Sequence, residues 1–163
     1  MILSGRGQAV FDILIFLIVI TVLAVSFVIG YKVYGDMNAE IQADTTMSNE
    51  SKAFSANINT EYPNFMDTAF LLALVLFWVL LLVSSFMIDS HPVFFIVTII
   101  LLFFVFMIGM VMANTYQDIM SDSDLSATAN QFPTITWVYS NLLIILIAIG
   151  FSTALVLYAK NKL

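Results

Sequence analysis

Four long apolar runs mark the chain, Ile13–Tyr31, Thr68–Ile88, Pro92–Thr115 and Trp137–Ala159, and Lys, Arg, Asp and Glu are absent from all of them. Each is close to the ~20 residues that a helix needs to cross a hydrocarbon layer of ~30 Å. In that layer every backbone amide must be paired within the protein, so a single run crosses it as a helix. The pattern predicts an all-α integral membrane protein, one domain covering 1–163, with four transmembrane helices over about 11–34, 67–88, 92–117 and 135–160.

The two long connections, 35–66 and 118–134, are polar and acidic and carry periodic patterns of their own. Ser48 can cap a short helix in which Met47, Phe54, Ile58 and Tyr62 share a face, and Ser123 can start another bearing Leu125, Ala129 and Phe132. Two short amphipathic loop helices are therefore predicted, lying over the bundle and ending at Tyr62-Pro63 and Phe132-Pro133, because the residue before a proline disfavours helical geometry. The first span is expected to leave the membrane as a continuous helix through Met37 and Ile41, and the third through Ile119. Span, acidic extension, Ser-capped helix, aromatic-proline and span occur in the same order on both sides of His91, which suggests a parallel repeat of two helical hairpins.

Composition agrees with a bilayer setting. A mean hydropathy of +1.02 and 61% hydrophobic residues exceed what a soluble chain of this size can bury. Cysteine is absent, which removes disulfides and thiolate metal sites. A net charge of −6 argues against nucleic acid as a partner and against docking onto anionic lipid, both of which want clustered Lys and Arg. Nine of the eleven acidic residues fall in the loops from Lys32 to Asp67 and from Tyr116 to Thr136, offset there by Lys32 and Lys52 alone. Arg6, Lys160 and Lys162 sit on the short tails, so the positive-inside rule puts both termini on the cytoplasmic side or its equivalent. Trp137, Tyr139, Tyr62 and Tyr116 suit the interface on the acidic side.

Candidate chemistry is sparse. His91 is the sole histidine and, before Pro92, suits a turn; Asp89 is placed to bond the start of the next helix. Asp12 and Asp67 stand at the ends of apolar runs, where a carboxylate favours a helix N-terminus. Asp36, Glu40 and Asp44 repeat at four on one helix face, without the alternating ligands and glycine of a calcium loop. No catalytic residue, metal site or cofactor is expected. Small residues at Gly109 and Gly150 read as helix-packing faces, and Trp78, in the middle of a span, needs a partner for its indole N–H on a neighbouring helix. Phe54, Ile58, Leu125 and Phe132 are expected to pack the loop helices onto the bundle or onto a neighbour.

The stretch Tyr62-Pro63-Asn64-Phe65-Met66-Asp67, with Ile88-Asp89-Ser90-His91-Pro92-Val93-Phe94-Phe95 further on, resembles small multi-span structural membrane proteins of viruses that carry an internal lipid layer. The resemblance covers about the central third of the chain and implies a virion membrane protein that orders the bilayer and touches neighbouring membrane or capsid proteins, as a homo- or hetero-oligomer. Two other classes fit the same architecture: a holin-like pore former, although Lys160-Asn161-Lys162-Leu163 is less basic than the tails of many such proteins, and an accessory subunit of a cellular membrane complex.

Overall fold

A computed structural model describes residues 8–87 and 92–160. Its elements are α1 (Gln8–Ala43), α2 (Asn49–Met87), α3 (Pro92–Met120), α4 (Ser126–Ala129), α5 (Pro133–Ser140) and α6 (Leu142–Lys160). Four helices are long and apolar enough to cross a membrane, and no strand occurs among the described residues. Arg6, Asp89, Ser90, His91 and Lys162 lie outside the described residues, so the expectations placed on them carry no structural account.

The spans close a ring in the order α1, α2, α6, α3, each touching the next. Ile13, Leu17, Ile20, Leu146 and Ile149 fill its centre and are fully buried. Hydroxyls within the helices satisfy themselves on the preceding turn, as Thr21 does on the Leu17 carbonyl (2.8 Å), Ser85 on Leu81 (2.7 Å) and Thr153 on Ile149 (2.7 Å). Trp78 finds the partner that its position demanded: its indole N–H donates to Ser152 Oγ at 3.1 Å, tying α2 to α6 within their apolar runs. Removing this bond by Ser152→Ala is expected to cost about 0.6–1.7 kcal/mol, the range typical of interhelical bonds in membranes, read as a lower denaturant midpoint in micelles.

The first amphipathic helix does not end at Pro63. α2 runs unbroken from Asn49 to Met87 with Pro63 buried inside it, so this helix is the outer half of a spanning helix and not a separate piece lying over the bundle. Proline removes one backbone bond, a loss that packing can offset when the ring lies against a neighbouring helix. The packing here is aromatic. Tyr62 stacks on Tyr31 (centroids 5.7 Å apart) and on Tyr34 (6.2 Å), and Gly30 allows the approach, since a Cβ there would stand 3.0 Å from the Tyr62 hydroxyl. Ser48 does cap this helix, its Oγ accepting the Ser51 N–H at 3.1 Å.

α1 continues to Ala43 and α3 to Met120, as their patterns predicted. The α1–α2 hairpin then continues past the apolar runs: Lys32 to Ala43 alone adds roughly 18 Å at the usual rise per residue. The second connection is different. Ser123 caps nothing; α4 is one turn with Leu125 at its N-cap position and no side-chain cap, and the loop folds back so that Phe132 meets Tyr31 edge to face at 5.8 Å. The two hairpins thus run in the same sense but carry unlike tips, one a tall helical pair and the other a low loop. The fourth span is also interrupted, at Asn141, whose side-chain amide donates to the Trp137 carbonyl at 2.8 Å and competes with the helix ladder.

Both tips belong to one end of the bundle, which a labelling experiment can check. Cysteines engineered at exposed Ala53 and Ala127 are expected to react with a membrane-impermeant reagent from the same side, with a cysteine at exposed Met87, the far end of α2, reacting from the other. Ser55 is unsuitable because it is buried in the hairpin. Labelling of positions 53 and 127 from opposite sides contradicts the fold.

Candidate functional site

The most deeply placed acid of the tip end is Asp67, 5% exposed and in the middle of α2. Its two oxygens accept the backbone N–H groups of Thr134 (Oδ2, 2.9 Å) and Ile135 (Oδ1, 2.9 Å). These are orphan donors of the first turn of α5, a helix with Phe132 at its N-cap position, Pro133 after it and no side-chain cap of its own. Asp67 therefore serves as the missing cap, supplied by another helix, and its charge faces the positive end of the α5 dipole. The expectation that Asp67 stands at the N-terminus of its own span is corrected: it lies in the middle of α2, and the terminus it meets is that of α5.

Beside this joint Tyr116 and Tyr139 stack face to face, centroids 3.9 Å apart, both almost fully buried. They seal α3 against α5 and are not free aromatic anchors; Trp137, 60% exposed, projects outward. The Tyr116 hydroxyl lies toward Thr136 and the Tyr139 hydroxyl toward Thr21, neither in full hydrogen-bond geometry. At the opposite end Ser84 donates to Asp12 Oδ2 at 2.8 Å, fastening α2 to α1.

Gly109 and Gly150 stand where α3 and α6 approach each other closely. A Cβ on Gly109 would overlap Leu146 Cδ1, and one on Gly150 would press on Leu102 (3.1 Å) and Phe106 (3.2 Å), so both glycines hold α3 and α6 together within the chain. Phe132 is fully buried and packs the second loop onto the bundle, with Leu125 partly buried beside the same loop.

Phe54 is 69% exposed, the opposite of a residue that packs its helix onto the bundle. With Ile58 it lines an open groove of about 670 Å³ between the projecting parts of α1 and α2, walled by Met37, Ile41 and Met47 and edged by Glu50 and Ser51. The polar floor is internally satisfied. Tyr34 OH donates to the Ser55 carbonyl (3.2 Å) and Ser55 Oγ donates to Asn38 Oδ1 (2.8 Å). Gln42 and Lys52 each reach the other's backbone carbonyl at 2.9 Å, closing the hairpin.

The acidic stripe of α1 is engaged locally. Lys32 pairs with Asp36 at 2.7 Å, and Asp44 accepts the Thr46 hydroxyl and N–H, both at 2.7 Å. The hydroxyl bond, then the backbone bond, hold the Asp44 carboxyl below its ordinary value. Because the folded value is the lower one, the turn's contribution is fully present above the ordinary carboxylate value and is lost as pH falls from there through the lowered one. No family model, curated protein or solved structure matches the chain.

Proposed function

We propose that the chain is a structural subunit of a membrane-embedded assembly, ordering the bilayer with its four spans and meeting neighbouring proteins through the hairpin that stands above it. The observation that carries this reading is the exposed apolar groove around Phe54 on a segment whose charges, Lys32, Asp36, Glu40, Glu50 and Glu61 among them, keep it out of hydrocarbon. Lipid can cover the apolar flanks of the spans; it cannot cover this face, and large exposed apolar patches in water mark contact sites. The polar groups at mid-span and at both ends support the same role, since Trp78, Asp12 and Asp67 are each bonded to another part of the bundle. The resemblance in 62–67 and 88–95 favours a virion membrane as the setting, with membrane or capsid proteins as neighbours.

The test uses charge at the groove. Phe54→Lys and Ile58→Lys are expected to reduce incorporation into the native assembly severalfold while leaving membrane insertion unchanged, because insertion is driven by the spans. The reading fails if the native protein leaves mild detergent as a monomer and both variants behave as the parent does.

A further inference from the structure

The groove carries a charge pattern as well as an apolar one. Along α2 the residues Glu50, Phe54, Ile58, Glu61 and Phe65 recur at three and four and so share one helix face, with Met47 in the turn before it. Phe54 and Phe65 are exposed on it, and Glu50 and Glu61 interrupt it as exposed carboxylates. Lys52 and Lys32 do not neutralise them, for Lys52 is bonded to the Gln42 carbonyl and Lys32 to Asp36. The opposite wall, from α1, contributes Met37 and Ile41 with Glu40 exposed beside them. Two antiparallel helices with an apolar seam between them, edged by acids, are two members of a three-helix packing that lacks its third.

We infer that this groove receives a basic amphipathic helix of a partner protein, its aliphatic side chains seated on Met37, Phe54 and Ile58 and its Lys or Arg residues against Glu50 and Glu61. The inference rests on the assembly reading above and names the chemistry of one neighbour. Charge complementarity selects the occupant: a second copy of this hairpin brings the same excess of carboxylates, and an anionic lipid surface is repelled by them. Methionine walls at Met37 and Met47 suit an entering helix because the side chain is flexible and polarizable.

The experiment places the full chain in zwitterionic lipid nanodiscs and measures anisotropy of two labelled helical peptides, one of Leu and Lys and one with Glu at every Lys position, against empty nanodiscs. The Leu/Lys peptide is expected to bind the protein about tenfold or more tightly than the Leu/Glu peptide, with the difference shrinking as salt rises. Glu50→Lys with Glu61→Lys is expected to reverse the preference, and Glu50→Gln with Glu61→Gln to abolish it; the neutral pair guards against misfolding of the charge-reversed one. Equal binding of both peptides, or a preference untouched by either pair, overturns the charge assignment. Self-association of the discs through the groove overturns it in favour of a second copy. Binding of neither peptide overturns the basic-helix occupant, and neighbours cross-linked at position 54 in the native membrane would then show that the assembly reading survives without it.

Discussion

Asp67→Ala is expected to destabilise the folded bundle by about 2–3 kcal/mol, the largest loss for any single acid among the described residues. The change removes a carboxylate that accepts two N–H groups of α5 and leaves both in a buried joint between helices. Asp67→Asn recovers only part of this, since an amide offers one acceptor, places a donor against the second N–H and drops the charge that faces the helix dipole. Exposed Asn64, one turn earlier on α2, is the control, and its alanine variant should stay within about 0.5 kcal/mol of the parent. Denaturant titration in micelles gives the energies, and amide exchange locates them: Thr134 and Ile135 should lose protection first. Unchanged exchange at those two amides in the alanine variant would show that the cap is not what holds α5.

The second large effect carries an unusual sign. In a helix interior Gly→Ala ordinarily stabilises by about 0.5–1 kcal/mol, through backbone entropy. At Gly109 it is expected to destabilise by about 1–3 kcal/mol, and Gly109→Ile by more, because the new Cβ overlaps the tip of Leu146, whose full burial leaves it little room to turn aside. Gly35→Ala provides the contrast within the same protein, for the nearest atom to its added Cβ is Asn59 Oδ1 at 3.7 Å, an ordinary contact. The pair should shift the midpoint in opposite directions. A stabilised Gly109→Ala would mean that the helices stand further apart than described.

The spans were legible because a bilayer imposes one requirement, helix over a run of fixed length, and runs such as Thr68–Ile88 satisfy it with no competing signal. The packing glycines were legible for a related reason: among Phe, Leu and Ile, a small residue has few roles except close approach. What remained hidden depended on partners distant in sequence. Pro63 read as a helix stop because the local rule is strong, and the rule yields in a buried setting where Tyr31, Tyr34 and Gly30, about thirty residues back, brace the neighbouring Tyr62. Carrying α2 through Pro63 in turn moved Asp67 from a helix start to a helix middle, where it needed another terminus to serve.

Part of that arrangement was readable in retrospect. Gln131-Phe132-Pro133 opens a helix with no Ser, Thr, Asp or Asn at the capping position, so its first N–H groups had to be met by something else. The second loop misled in the opposite way. Ser123-Asp124 has the composition of a helix start, but Asp122 takes the role of a turn former, its Oδ1 accepting the Asp124 N–H at 2.9 Å. Phe54, grouped by periodicity with Ile58 as a packing residue, faces outward, since period alone fixes that residues share a face and not what the face meets.

The central claim is that the face around Phe54 meets another protein in the membrane where the chain resides. A photoactivatable amino acid placed at position 54 and irradiated in that membrane tests it most directly, with the same probe at lipid-facing Leu72 as reference. The expected result is a discrete, saturable protein adduct at position 54 whose peptide lies on a basic helix, with lipid adducts at position 72. Lipid or solvent adducts alone at position 54 would contradict it.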